Sequence, residues 1–208
     1  AKAISLGTQV YDTVATELEQ RWYAFSVAKA TKFTAAMVMD DTADFDLYVN
    51  KLNETDGTLE LVGGSAIVGA GTQELSMLKL DEGIYFIGIE AATGNGSFLM
   101  YTYAGVNDGK EINDTTDLAS SYVRNSRMTA TIDSPFDYDY YKVVISKNDI
   151  LEYTFDQPTG CDYKVLVYDG KNYYTINNGT YRLNTGTYYF IVMASSMNYS
   201  DDKYYGIN

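Results

Sequence analysis

Apolar and polar residues alternate with a period of two in short runs along the chain, and each run is bounded by Gly, Asn or Asp. Residues 22–27, 33–39, 45–49 and 84–89 are the clearest cases. In the first, Trp22, Ala24 and Ser26 alternate with Tyr23, Phe25 and Val27, which turns one set towards a core and leaves the other outside. Short strands at regular intervals predict a sandwich or barrel. The best helical candidate, residues 12–20, carries Thr13, Val14 and Thr16, whose β-branched or strand-favouring character suits extended backbone. Helix content is expected to be small. Gly63-Gly64 and Gly69-Ala70-Gly71 are followed by no Lys of the phosphate-loop type, so both read as turns.

The alternation recurs at long range. An offset of 118 carries residues 22–27 onto 140–145 and residues 44–49 onto 162–167 without a gap. After a middle section that is shorter in the second copy, an offset of 103 carries residues 80–87 onto 183–190. Few residues are identical, but the apolar pattern is kept. The chain therefore reads as all-β, with two tandem antiparallel β-sandwich domains of jelly-roll type. The first spans residues 1–105 and the second 126–208. Residues 106–125, with Asn107-Asp108-Gly109 and a polar run from Glu111 to Asp117, read as a linker and opening motif.

Composition narrows the chemistry. The 208 residues include no histidine and one cysteine, Cys161, which removes Ser-His-Asp and Cys-His catalysis, histidine-based zinc sites and an intramolecular disulfide. Cys161 reads as a small buried or loop residue, because no histidine is present to activate it. The 28 acidic against 15 basic side chains give a net charge of −13, which repels phosphate backbones, so nucleic acid is not an expected partner. No stretch approaches the roughly 20 apolar residues that span a bilayer, and residues 1–7 carry no signal-peptide pattern, so any export signal is expected outside this chain. Cations and neutral polymers remain as partners.

Glu111, Asn113 and Asp114, with Asp137 and Asp139 one strand-length later, form the densest group of oxygen ligands in the sequence. Calcium takes six to eight oxygens in flexible geometry, and a polar segment folding back on a domain can supply them. The competing reading is that these are solvated loop acids, with Asn113 and Asp114 capping turns. Asp40, Asp41, Asp44 and Asp46 form a second acidic group between two strands, of which only the first carboxylate of the Asp44/Asp162 pair recurs, so that aspartate reads as a strand-opening device. Paired acids could also serve a glycosidase, but nothing marks two of them as buried together. The 21 tyrosines offer rings for stacking and hydroxyls for hydrogen bonding; Tyr168, Tyr173, Tyr174 and Tyr181 are the candidate binding residues for a glycan or peptide.

These features resemble the bacterial pre-peptidase C-terminal domain, a β-sandwich appended to exported peptidases. In the second copy the likeness lies in Glu111-x-Asn113-Asp114-Thr115, Ala119, Asp139-Tyr140-Tyr141, Asp162-Tyr163-Lys164-Val165 and the Gly186-Thr187-Tyr188-Tyr189 strand. In the first it lies in Arg21-Trp22-Tyr23-Ala24-Phe25, Asp44-Phe45-Asp46-Leu47-Tyr48-Val49, Gly83-Ile84-Tyr85-Phe86 and Gly94-Asn95-Gly96-Ser97-Phe98. The resemblance implies a monomeric, non-catalytic module of a secreted or cell-surface protein that binds an extracellular polysaccharide or matrix protein, or else a ligand-free spacer for a larger exported hydrolase. It also implies a structural calcium ion held by Glu111, Asn113, Asp114 and Asp137, with Asp139 at the margin of the set. The first copy lacks the opening motif and keeps only Glu17 and Glu19 there, so its metal site is expected to be missing. Collagen as a ligand does not carry over, since it belongs to some relatives only.

Overall fold

A computed structural model describes residues 1–105 and 109–208. It divides into two compact units, Ala1–Gly105 and Val106–Asn208. Both are built from strands, and the described residues contain no helix. Residues 12–20, the best helical candidate, end one strand, turn, and begin the next.

In the first unit β1 (Lys2–Ala3), β3 (Gln20–Val27), β5 (Asp44–Leu52), β6 (Leu59–Ser65) and β8 (Gly83–Thr93) form a five-stranded sheet in the order β1-β3-β8-β5-β6. Facing it, β2 (Gln9–Val14), β4 (Thr31–Met39), β7 (Glu74–Leu80) and β9 (Gly96–Gly105) form a four-stranded sheet in the order β2-β9-β4-β7. Only β1 runs parallel to its neighbour; the other pairings are antiparallel. Tyr23, Phe25 and Val27 from one sheet and Phe33, Ala35 and Met37 from the other are all buried between the layers. The Phe25 and Phe33 rings stack across the interior with centroids 5.0 Å apart. Each such side chain contributes about 1.5–3 kcal/mol by leaving water.

The second unit repeats this order. β10 (Ser120–Ser121), β12 (Tyr138–Ile145), β15 (Tyr163–Tyr168), β16 (Tyr173–Thr175) and β18 (Gly186–Ala194) form a sheet in the order β10-β12-β18-β15-β16, again with the first pair parallel. The opposite layer is split: β11 (Met128–Ile132), β19 (Ser200–Ile207) and β14 (Phe155–Asp156) pair as β11-β19-β14, while β13 (Asp149–Tyr153) pairs only with β17 (Gly179–Leu183). The core is tyrosine-rich, with Tyr141, Tyr153, Tyr163 and Tyr205 buried beside Val143, Val165 and Phe190. Buried phenols need partners, and these supply the polar character of the unit.

Two local expectations change. Gly63 and Gly64 lie inside β6 rather than in a turn. A side chain at Gly64 would meet the Leu47 carbonyl at 2.4 Å and one at Gly63 would meet Leu78 at 2.4 Å, so close approach, not chain reversal, accounts for the pair. Residues 109–125 are not a solvated linker either. Glu111, Asn113 and Asp114 are buried, and β10 joins the sheet, so the segment is part of the second unit. Asp108, with Val106 and Asn107, lies outside the described residues.

Candidate metal centre

The turn before β12 organises the site. Asp137 donates its N–H to the Ser134 carbonyl at 3.2 Å, and its Oδ2 accepts the Asp133 N–H at 2.7 Å, closing a tight loop that aims Asp137 inward. Two residues on, Asp139 lies on the core-facing side of β12 and is fully buried. The segment carrying Glu111 is sewn to the same strand. The Tyr140 N–H donates to the Asn113 carbonyl at 2.9 Å, and the Tyr138 N–H donates to Asp114 Oδ1 at 3.2 Å.

Carboxylate oxygens of Glu111, Asp137 and Asp139 thereby fall within 4.8 Å of one another, all three residues buried. Like charges that close repel strongly in a low-dielectric interior, and a divalent cation among them offsets that repulsion. Asn113 adds a separate observation. Its side chain is 0 % exposed, and neither its Oδ1 nor its Nδ2 has a hydrogen-bond partner. A buried amide without partners costs about 1–3 kcal/mol, and coordination of a hard cation by the carbonyl oxygen removes part of that cost. The three carboxylates are an all-oxygen set of the kind calcium takes, and Asp133, also buried, is bound to Asp137 through its N–H.

Asp139 is tied to the core as well. The Tyr205 hydroxyl donates to Asp139 Oδ2 at 2.5 Å and shares a 2.6 Å bond with the Tyr141 hydroxyl. Burial first, then the charge of Asp139, push the Tyr205 hydroxyl well above its ordinary pKa, so it stays a neutral donor.

The sequence-predicted ligands are thus brought together in part. Glu111, Asp137 and Asp139 converge, while Asn113 and Asp114 lie on the same segment and fasten it to β12. Asp133 and Tyr205 were not anticipated. Asp133 sits four residues before Asp137, a spacing that a turn brings together. Tyr205 arrives on a strand whose pairing with β11 has no local signal.

The acids of residues 40–46 act separately. Asp40 Oδ2 accepts the Ser97 N–H at 2.7 Å, Asp44 Oδ2 the Gly69 N–H at 3.1 Å, and Asp46 Oδ2 the Tyr48 hydroxyl at 2.7 Å. Asp44 opens β5 and pins the loop that follows β6. Cys161 is buried and free, in the loop before β15.

The four candidate tyrosines divide in two. Tyr168 and Tyr173 are opposite each other across β15 and β16, their rings stacked with centroids 4.5 Å apart, and Tyr189 joins at 6.2 Å from Tyr168. Tyr140 reaches the same row: burial, then the Tyr173 hydroxyl, raise its pKa. Tyr174 and Tyr181 do not belong to this row. Tyr174 pairs with buried Val167 and so faces the other side of the sheet, where it and Tyr181 line a groove of about 210 Å³ with Asp169, Arg182 and Tyr188.

The sequence matches no protein-family model and no curated protein. Among solved structures, the pre-peptidase C-terminal domain of collagenase from Bacillus anthracis is similar at 15% identity and a TM-score of 0.41, over 48% of this chain and 91% of that one. The CUB1-EGF-CUB2 domain of human MASP-1/3 aligns at 7% identity and 0.29, over 95% and 98%. PNGase F, a glycosylasparaginase from Flavobacterium meningosepticum, aligns at 9% and 0.28, over 96% and 95%. At these scores the likenesses are of β architecture, and no property of those proteins transfers with them. The described residues contain no helix long and apolar enough to cross a membrane.

Proposed function

We propose that the chain is a non-catalytic binding module of a secreted or cell-surface bacterial protein, whose second unit is stabilised by a structural calcium ion. The observation that carries this reading is the convergence of buried Glu111, Asp137 and Asp139, with the partnerless side chain of Asn113 two residues after Glu111 in the chain. Calcium supplies positive charge and accepts oxygen donors. Glu111 holds it from the opening segment, and Asp137 and Asp139 hold it from the start of β12, so the ion fixes residues 111–114 onto the sheet. Tyr168, Tyr173, Tyr189 and Tyr140 supply the binding face, a row of rings suited to stacking on sugars or packing on a peptide.

A calorimetric melt with calcium and then with chelator tests the metal. A free ion at about 100 times its dissociation constant adds about 2.7 kcal/mol, which raises the transition of the second unit by on the order of 10 °C. An unchanged transition contradicts the calcium site. Glycan and extracellular-matrix arrays test the binding face: reproducible binding lost in Tyr173→Ala and Tyr168→Ala but kept in Tyr181→Ala supports it, and a blank array favours the ligand-free spacer.

A further inference from the structure

The outer face of the five-stranded sheet in the first unit carries an arrangement that the second unit lacks. Trp22 of β3, Gly88 of β8 and Tyr48 of β5 lie opposite one another across three adjacent strands, and the next row along holds Gln20, Glu90 and Asp46. Their chain neighbours Tyr23, Leu47, Ile87 and Ile89 are buried, so both rows face outward, with Trp22 and Tyr48 partly exposed. Gly88 makes the floor. A Cβ there would meet three adjacent atoms of the indole at 3.1, 3.1 and 3.3 Å, and such even distances mean that the face of the Trp22 ring, not its edge, covers the glycine. The opposite face of the ring is turned away from the sheet. Trp22 Nε1 donates to Gln20 Oε1 at 3.0 Å and Gln20 Nε2 donates to Glu90 Oε2, which fixes the ring beside the polar row.

Charge is the second observation. Asp46 and Glu90 are directly opposite each other, a placement of like charges that destabilises a sheet, and among the described residues neither is in an ion pair. Each spends one oxygen on a neutral donor, Asp46 Oδ2 on the Tyr48 hydroxyl at 2.7 Å and Glu90 Oε2 on Gln20, which leaves Asp46 Oδ1 and Glu90 Oε1 to accept. The bond to Asp46, then burial, then the charges of Asp46 and Glu90 push the Tyr48 hydroxyl up to about 12, so it stays a neutral donor. In the second unit the same register holds Tyr140, Ile191 and Leu166 beside Tyr138, Met193 and Lys164. There a branched side chain stands in place of Gly88 and both acids are gone.

We propose that this patch binds an organic cation, a guanidinium group that stacks on the free face of Trp22 and donates to Asp46 and Glu90. An indole attracts a cation over its face, and two carboxylates without a basic partner add to that attraction. The acids lie in the row beside the ring rather than above it, so the ligand has to direct its donors sideways. A guanidinium does so, because its N–H groups lie in the plane that stacks. A hard metal ion takes six to eight oxygens, more than this patch offers, and gains nothing from the ring. The site is separate from the tyrosine row of the second unit and from the metal centre.

Trp22 is the only tryptophan, so its fluorescence reports the site directly. The test is titration of the intact chain with N-acetyl-arginine amide, beside the citrulline analogue, whose side chain has the same shape and no charge. A saturable change is expected for the arginine amide, half-complete on the order of 1 mM, and none for the citrulline analogue. Raising the salt to about 0.5 M is expected to weaken binding severalfold, and Asp46→Asn and Glu90→Gln, which keep the shape of the side chain, are each expected to do the same. A response that stays linear up to roughly 20 mM overturns the proposal, as does equal binding of the citrulline analogue or binding unchanged in both variants. Tetramethylammonium binding more tightly than the arginine amide makes the patch an ammonium site, and cellobiose binding more tightly makes it a sugar platform. Either of these last results also overturns it.

Discussion

At the start of β3 and of β12 the two units build the same turn and fill it differently. In the first, Glu19 donates its N–H to Thr16 at 3.2 Å and accepts the Ala15 N–H on Oε2 at 2.8 Å, the same pair of bonds that Asp137 makes with Ser134 and Asp133. Two residues on, the first unit has Arg21 where the second has Asp139. Arg21 bonds to Glu19 and lies 3.9 Å from Asp12, so a guanidinium occupies the part of the turn that acids occupy in the second unit. The Tyr23 hydroxyl donates to Asp12 at 2.8 Å, whereas its counterpart Tyr141 bonds to Tyr205. The lesson is about charge and burial. A built-in cation on a long side chain leaves its partners about 30 % exposed, while the second unit gathers three buried acids in the corresponding region.

The largest expected difference comes from the paired aspartate and glutamate. With calcium present, Asp137→Ala removes a ligand and the brace on Asp133, and is expected to cost the second unit about 3 kcal/mol in a denaturant titration. Glu19→Ala removes the matching brace in the first unit and is expected to have a much smaller effect. Trp22, the only tryptophan, lies in β3 next to Arg21 and reports the first unit by fluorescence. If the two substitutions cost the same, the comparison fails.

Tyr205→Phe comes next. It leaves Asp139 and Tyr141 short of a buried partner and is expected to cost about 1–3 kcal/mol, confined to the second unit. In the first unit the corresponding register position, opposite Asp12, is already Phe98. Arg21→Ala is expected to cost less than about 1 kcal/mol, since its partners are accessible to solvent.

The smallest effect is on pH. The bond from Arg21, and then that from the Ala15 amide, lower the Glu19 carboxyl below its ordinary range. Burial raises Asp12, but the Tyr23 hydroxyl, the Thr13 amide and Arg21 together outweigh it and leave it lowered too. A lowered folded-state pKa means that the contribution is present above the ordinary carboxylate pKa, near 4, and fades as the pH falls through the lower folded value. Acid titration followed at Trp22 is expected to show a modest loss below about pH 4, smaller in Arg21→Ala.

Much of the architecture was legible because strands with one buried face impose a two-residue period, and that period survived in both copies at Tyr23 and Tyr141, Phe25 and Val143, and Val27 and Ile145. Glu111, Asp137 and Asp139 were legible as oxygen donors near one another in sequence. Their convergence was expected from a polar segment folding back on the domain, but the means was not, since it lies in bonds from the backbone of β12 to Asn113 and Asp114. Tyr205 stayed hidden since 66 residues separate it from Asp139. Among the tyrosines, clustering in sequence misled. Tyr173 and Tyr174 are neighbours in the chain but point to opposite faces of the sheet, and the row that Tyr173 joins is completed by Tyr189 and Tyr140 from other strands.

The most direct test of the contrast is the number of calcium ions bound per chain, measured by isothermal titration calorimetry on the intact protein after chelator treatment. One ion is expected, lost in Asp139→Asn and unaffected by Arg21→Ala. No bound ion contradicts the metal centre, and a second ion that responds to Arg21→Ala contradicts the claim that the first unit carries its own cation.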